Sequence, residues 1–204
     1  MVSIDSITLE VGDPAAAERF YSDAFGLGSR VRVRASDTPT TGFRGFTLSL
    51  VVSQPANASA LVDAALAAGA RTLKGAAKSF WGFGGVVQAP DGTIWKVATS
   101  AKKDTGPASR EVDQVVLLLG AADVAATKKF YVERGLTVAK SFGRKYVEFD
   151  AQPGPVGLGL YGYKALAKDV GVPPDGTGSH RIAINSDAGL FTDPDGFAWE
   201  AASA

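Results

Sequence analysis

Residues 193–200 of this chain are DPDGFAWE, and residues 90–96 are PDGTIWK. In both stretches a Pro-Asp-Gly group typical of a tight turn is followed by a short segment with a tryptophan, as expected of a strand. The same motif therefore occurs once in each half of the chain. This repetition indicates two copies of one structural unit.

The sequence that precedes each motif is also repeated. Residues 4–9, IDSITL, come before a helical segment that ends in Phe20 and Tyr21. Residues 112–117, VDQVVL, come before a helical segment that ends in Phe130 and Tyr131. Three matched features in the same order make a chance similarity a poor explanation.

A polar segment separates the two copies. Residues 100–110 contain a Gly-Pro pair and no apolar periodicity, which is typical of a linker. We therefore expect two domains, residues 1–105 and residues 106–204. In these domains Ile4–Val11 and residues 112–119 should be equivalent strands.

The first helix has clear boundary signals. Asp13 suits the N-cap, Pro14 suits the first helical position, and Gly26 or Gly28 suits the end of the helix. Segments rich in β-formers follow this helix, and the same order recurs after the linker. The order strand, helix and then several strands, repeated, predicts an α+β fold.

The composition excludes several classes of function. Lys and Arg number 21, as do Asp and Glu, so the net charge is zero and a nucleic acid is not an expected partner. No apolar run approaches the ~20 residues of a membrane span, and the first residues lack the pattern of a signal peptide. We therefore expect a cytoplasmic protein without a membrane partner.

Two residue counts limit the chemistry further. The chain has no cysteine, which excludes disulfides, thiolate nucleophiles and thiolate metal sites. Its one histidine excludes any site that needs two histidines from one chain. Arg30, Arg32 and Arg34 alternate on one strand face, and a solvated sheet face is favoured over an anion-binding row.

The repeated motifs resemble those of the glyoxalase / bleomycin-resistance / extradiol-dioxygenase (vicinal-oxygen-chelate) superfamily, along essentially the whole chain. The resemblance implies two tandem glyoxalase-like halves built from βαβββ modules, whose paired sheets enclose a cup. Each half has an incomplete module. Only one strand separates Arg34 from the helix near Asn57, and no helix fits between residues 185 and 191.

The resemblance also implies a divalent metal ion, held by the first and last strands of the two modules of a pair. In the first half these positions fall on Ser6, about Phe46 and Lys96, a set that should not bind a metal. In the second half they fall on Gln114, His180 and Glu200, with the fourth near Gly159.

An amide, an imidazole and a carboxylate together suit Zn²⁺, Ni²⁺, Fe²⁺ or Mn²⁺. No organic cofactor is indicated. We therefore expect Gln114, His180 and Glu200 to converge in one cavity of the C-terminal half.

A glycine-tyrosine strand is a second candidate site. Gly157, Gly159, Tyr161 and Tyr163 alternate and should share one face of a strand. They predict either a ligand pocket or a bulge with surface tyrosines. The aromatic-glycine cluster of residues 79–84 either lines a pocket or fills the core.

Three functions remain open. The first, which the sequence favours, is a glyoxalase-like metalloenzyme acting on a small molecule, with Glu200 as catalytic proton shuttle. The second is a metal-free protein that binds and sequesters a small, antibiotic-like molecule. The third is assembly through open sheet edges, which also predicts a homodimer. A ring-cleaving dioxygenase is disfavoured because the resemblance requires two histidines for it.

Overall fold

A computed structural model describes residues 2–150 and 154–202, and it confirms the α+β class. The first half forms, in order, β1 (Ile4–Val11), α1 (Pro14–Ala24), β2 (Val31–Ala35), β3 (Thr40–Gly42), β4 (Phe46–Val51), α2 (Pro55–Ala67), β5 (Arg71–Ser79), β6 (Gly82–Gln88) and β7 (Ile94–Thr99). The second half forms β8 (Gln114–Ala121), α3 (Val124–Glu133), β9 (Val138–Phe142), β10 (Tyr146–Phe149), β11 (Val156–Gly162), α4 (Tyr163–Val170), β12 (Gly176–Gly178), β13 (Ile182–Ser186), β14 (Phe191–Thr192) and β15 (Ala198–Ala201).

The βαβββ order is complete in two places. It occurs in β4-α2-β5-β6-β7 and again in β8-α3-β9-β10-β11. The first module has β1, α1 and β2, and only its two strands belong to the sheet. The last module has β13, β14 and β15, with no helix among them. The first and last modules are therefore incomplete, as expected, although two strands, β3 and β4, and not one, separate Arg34 from α2.

The strands form two main sheets, and each sheet combines both halves of the sequence. The eight-stranded large sheet has the order β5-β6-β7-β4-β8-β11-β10-β9, and the five-stranded small sheet has the order β14-β15-β13-β1-β2. β4 pairs antiparallel with β8 in the large sheet, and β1 pairs antiparallel with β13 in the small sheet. The expected boundary near residue 105 does lie in the linker between β7 and β8.

This pairing corrects the expected domain organisation. Residues 1–105 and 106–204 are not two separate units, because neither half completes a sheet alone. The two middle modules pair with each other, and so do the first and the last. As expected, β1 and β8 occupy equivalent places. Each pairs antiparallel with a strand of another module, β13 or β4, and parallel with a strand of its own module, β2 or β11.

Helix α1 begins and ends as its sequence predicts. The side chain of Asp13 accepts a hydrogen bond from the backbone N–H of Ala16 at 2.9 Å, and Pro14 is the first helical residue. Gly26, just beyond the helix, has a φ of 60°, a conformation that glycine adopts without a steric penalty.

The motifs that predict the fold also hold its modules together. Tyr21, near the end of α1, donates a hydrogen bond to Asp91 at 2.5 Å. Tyr131, in α3, donates one to Asp193 at 2.5 Å. Each tyrosine thus connects its helix to the turn that precedes the last strand of the following module. Burial raises the pKa of Tyr131 well above its ordinary value, and burial also raises that of Asp193.

We expect Tyr131→Phe to lower the free energy of unfolding by about 1–3 kcal/mol, because the buried Asp193 carboxylate loses a donor that the apolar interior cannot replace. Urea denaturation measures the change. Tyr146→Phe is the control, since the Tyr146 hydroxyl is only partly buried and lies 3.3 Å from the exposed Glu148 carboxylate. Equal losses in both variants would contradict a special role for Tyr131.

The sheet edges bear on oligomerisation. β5 and β9 border the large sheet, and β14 and β2 border the small sheet. Such edges can pair with another chain, so the homodimer stays a prediction. None of the helices in the described residues is long and apolar enough to cross a membrane.

Candidate functional site

The small sheet has one apolar and one polar face. Ile7 and Leu9 on β1 and Ile184 on β13 pack into the main core with the helices. Since side chains alternate along a strand, the residues between them point to the opposite side. We call this side the small face. It carries Ser6, Thr8, Glu10, Arg34, Asn185 and Glu200.

Buried polar groups form one part of the small face. The hydroxyl of Thr8 donates to Oδ1 of Asn185 at 2.8 Å, and that of Ser6 lies 3.3 Å from the same oxygen. All three residues are buried. Their mutual hydrogen bonds offset the cost of removing them from water.

A charged cluster forms the rest of the small face. The guanidinium of Arg34 contacts both oxygens of Glu200, at 2.9 and 2.8 Å, in a bidentate pair. It also donates twice to Oε1 of Glu10, at 3.0 and 2.5 Å. The hydrogen bonds to Glu200 and Glu10 raise the pKa of Arg34 above its ordinary value. Arg32 and Arg34 are exposed, as expected of a solvated sheet face, whereas Arg30 precedes the strand in a short 3-10 helix.

The one histidine does not point towards this cluster. His180 lies before β13, and Arg181 between them has a φ of 53°, which breaks the strand alternation on which the expected position depends. Its Nδ1 is 2.6 Å from the carbonyl oxygen of Arg44, and its Nε2 is 3.0 Å from that of Asp195. The ring also stacks on Phe197 at 4.0 Å. Both ring nitrogens therefore face backbone oxygens rather than a space for a metal.

The three expected metal ligands do not converge. Gln114 is on β8 in the large sheet, whereas Glu200 is on β15 in the small sheet and is bound by Arg34. The expected site assumed that the last two modules pair, and in the structure they do not. The residues present therefore do not fit the implied ion. Within residues 2–150 and 154–202, no group of three or more His, Cys, Asp or Glu side chains could hold one.

Helix α4 covers much of the face of the large sheet that points away from the main core. Leu117 and Leu119 on β8 pack in the main core, so Leu118 points to the opposite side, which we call the large face. There Leu166 and Val170 of α4 form a second apolar cluster with Leu118. Helix α4 thus fills the middle of the large face.

The glycine-tyrosine residues lie on the large face, as their alternation predicts. Gly157 lines a cavity of about 110 Å³ together with Gln114 and Glu148. A Cβ on Gly159 would lie 2.8 Å from a methyl group of Leu118, so a larger residue there would require the Leu118 side chain to shift. The ring of Tyr161 packs against the ring of Tyr146, with centroids 4.8 Å apart.

The strand was expected to include Tyr163. In the structure β11 ends at Gly162, and Tyr163 is the first residue of α4. Its hydroxyl donates to the carbonyl oxygen of Phe43 at 3.0 Å. The sequence therefore predicted the shared face but not the helix that follows.

An open groove remains beside α4. Its volume is about 540 Å³, and it lies between the end of α4 and the hairpin of β5 and β6. Apolar, aromatic and charged residues line it, including Val51, Lys74, Lys78, Trp81, Lys96 and Asp169. This groove is a much larger opening than the cavity of about 110 Å³ beside Gly157.

An ion pair marks the inner end of the groove. Lys96 Nζ is 2.7 Å from Asp169 Oδ2, and both side chains are about one third exposed. Lys74 Nζ donates to the carbonyl oxygens of Lys168 and Asp169, the last turn of α4. A positive charge is favourable at a helix C-terminus, so Lys74 helps to hold α4 in place.

Two other hollows of similar size lie outside the large face. One, of about 660 Å³, is lined by Asp13, the N-cap of α1, and by residues of α1 that include Asp23. The other, of about 680 Å³, is lined by Glu18 and Arg32 among others. Neither of these hollows nor the groove is lined by a predicted site residue, but the groove contains Lys96, at the last-strand position of the first half that was expected not to bind a metal.

Comparison with known proteins agrees with this fold. No family model and no curated protein matches the sequence. Among solved structures, glyoxalase I from Zea mays superposes with a TM-score of 0.62 at 16% identity, covering 98% of this chain and 91% of that chain. A proposed dioxygenase from Bacillus subtilis superposes with a TM-score of 0.54 at 15% identity, covering 90% and 69%. The chain therefore has the glyoxalase I fold.

Proposed function

We propose that this chain is a member of the glyoxalase / bleomycin-resistance / extradiol-dioxygenase superfamily that binds a small planar anion in the groove of its large face, without a metal ion. The observation that carries this proposal is the groove itself, in which Lys96 lies at the last-strand position where the resemblance implies a metal ligand.

The size of the groove supports a small ligand. Its volume of about 540 Å³ lies inside the range of roughly 300–1,000 Å³ that is usual for small-molecule sites. Val51 and Ala98 supply an apolar floor from two adjacent, paired strands. The groove is also open at the hairpin, so a ligand can enter without unfolding the sheet.

The charge of the groove supports an anion. Lys74, Lys78 and Lys96 line it, with Asp169 as the one carboxylate among its lining residues. A cleft with an excess of one charge attracts ligands of the opposite charge. Lys96 lies in the groove as a partner of Asp169, and an incoming carboxylate or sulfonate would compete with Asp169 for its ammonium group.

The aromatic wall supports a planar ligand. Trp81 lines the groove and is 82% exposed, which is unusual for so large an apolar side chain. Phe80 lies next to it with ring centroids 5.0 Å apart. A flat ring that covers the Trp81 indole would bury apolar area that otherwise stays in water.

We do not propose a metal-dependent lyase or isomerase. Glu200, the expected proton shuttle, accepts hydrogen bonds from Arg34 on both oxygens and lies in a different sheet from Gln114. A catalytic base needs a free oxygen directed at its substrate. The binding function therefore accounts for the geometry better than the proton-shuttle function does.

Tryptophan fluorescence tests the proposal directly. Trp95 and Trp199 are fully buried, so Trp81 is the tryptophan whose emission should respond to a ligand in the groove. Titration with a naphthoate should change this emission saturably, and neutral naphthamide should bind at least tenfold more weakly. Equal binding of the two would contradict the anion specificity, and no response to either would contradict the groove as a site.

We expect Trp81→Ala to weaken naphthoate binding about tenfold, because the stacking surface is lost. Calorimetry measures the affinity without relying on the emission of Trp81. Trp81→Phe should keep most of the affinity, since it retains an aromatic ring. Leu190→Ala is the matched control, because Leu190 is an equally exposed apolar residue, 83% exposed, away from the groove.

A further inference from the structure

We propose that the open edge of β2 is a docking site for an extended peptide strand of another protein, in which apolar residues alternate with acidic ones. The site lies on the small sheet, between β2 and α1, and it shares no lining residue with the groove of the large face. The inference therefore does not depend on the ligand proposed for that groove.

The incomplete first module leaves a strand position open. In the two complete modules the last strand, β7 or β11, pairs antiparallel with a further strand, β6 or β10, and the helix of the module packs on both. In the first module β2 takes the place of the last strand, because it pairs parallel with β1 as β7 does with β4 and β11 with β8. No strand of the described residues lies beyond β2. A strand position beside β2 and beneath α1 is therefore open.

The hollow of about 680 Å³ lies at this position. It is lined by residues of α1, by the turn 26–28 and by residues 31–33 of β2. Tyr21 and Leu27 are buried, and Val31 and Val33 are partly buried and pack against the main core. The hollow thus offers apolar walls to the side chains of a docked strand that point towards α1.

The backbone of β2 can hydrogen-bond such a strand. The N–H of Ser36, just after β2, donates to the carbonyl oxygen of Val11 on β1 at 2.9 Å. Because successive residues of a strand direct their N–H and C=O groups to opposite sides, those of Val31, Val33 and Ala35 point to the open edge. These residues span ~13 Å, which suits a peptide of about five or six residues added to the sheet edge.

The charge of β2 favours an acidic strand. Arg32 is exposed on the small face and, unlike Arg34, forms no ion pair with another described residue. Side chains directly opposite in an antiparallel pair share a face, so an acidic residue of the peptide would lie beside Arg32. Glu18, the one carboxylate that lines the hollow, is on the α1 side instead.

The same charges disfavour a second copy of this chain as the occupant. Two β2 strands paired antiparallel would place the arginines of one copy opposite those of the other on the small face. Like charges directly opposite destabilise a strand pair. We therefore assign the edge to a peptide that carries carboxylates.

NMR spectroscopy with a six-residue peptide of alternating Val and Glu tests the proposal. At saturation the peptide should slow hydrogen exchange of the Val31 and Val33 amides about tenfold or more, and it should leave the amides of β9, an edge of the large sheet, unchanged. A peptide of alternating Val and Lys should bind about fivefold more weakly. Equal binding of the two peptides, or protection at β9 instead of β2, would overturn the proposal.

Variants of β2 test its charge and its edge separately. Arg32→Glu should reverse the preference between the two peptides, whereas Lys145→Glu, the same charge change at an exposed turn, should preserve it. Val33→Pro removes an outward N–H and keeps the bonds of β2 to β1, so it should weaken binding of the Glu peptide about fivefold. If Val33→Pro does not fold, the Arg32→Glu comparison decides. Protection of the Val33 amide that rises with protein concentration in the absence of peptide would show that a second copy pairs there, and the proposal would be wrong.

Discussion

Leu166→Ala is expected to lower the free energy of unfolding by about 2–5 kcal/mol, the usual cost of removing a large aliphatic side chain from a packed interior. Leu166 is fully buried, although it belongs to a helix of only eight residues. It packs with Phe43, Val86 and Leu118 on the large face. A truncated side chain would leave a cavity between α4 and the sheet, because the strands beneath cannot move to fill it.

Urea denaturation followed by circular dichroism measures the loss. Leu190→Ala removes the same atoms from a residue that is 83% exposed, and it should change the stability by less than about 0.5 kcal/mol. Similar stabilities of the two variants would mean that α4 does not pack on the sheet. Such a result would also remove one wall of the proposed ligand groove.

Helix α4 could not be predicted from the sequence pattern. Residues 156–160 alternate large and small side chains, which is typical of a strand, and residues 156–162 do form β11. The helix that follows is too short for a clear helical period, which needs a window of about 11 residues. Its buried residues are Leu166, Ala167 and Val170. The sequence alone does not show which face of the sheet they cover.

Apart from α4, the main elements were predictable where local chemistry determines them. Asp13 and Pro14 begin α1, and the Pro-Asp-Gly turns precede β7 and β15, as the sequence indicates. The pairing of modules was not predictable, because every module offers a similar first strand. β1 pairs with β13 and β4 with β8 through contacts far apart in the sequence, and no local motif specifies such a choice.

The predicted site residues Gln114, His180 and Glu200 do not come together, because the modules pair differently from the expected arrangement. Glu200 lies on the predicted last strand and makes a specific ionic contact, but with Arg34 instead of a metal. The signal for Arg34 was present, since it alternates with Arg32 on a predicted strand. Its importance depends on Glu10 and Glu200, whose proximity follows from the pairing of the first and last modules.

Replacing the two members of the groove ion pair should change ligand affinity in opposite directions. Lys96→Met is expected to weaken naphthoate binding about 10–100-fold, the typical contribution of a hydrogen bond to a charged group. Without Lys96, the Asp169 carboxylate also repels the anion. Asp169→Asn should instead tighten binding several-fold, because Lys96 then has no competing carboxylate at 2.7 Å.

Calorimetric titration of naphthoate into the two variants and wild type makes this comparison, with thermal unfolding as a check that each protein is folded. Lys145→Met is the control for Lys96→Met, because it changes the net charge equally at an exposed turn between β9 and β10, remote from the groove lining. Opposite signs are the essential result, since a loss of packing would weaken binding in both variants. If both bind naphthoate as wild type does, Lys96 does not contact the anion, and the ligand must bind elsewhere on the protein.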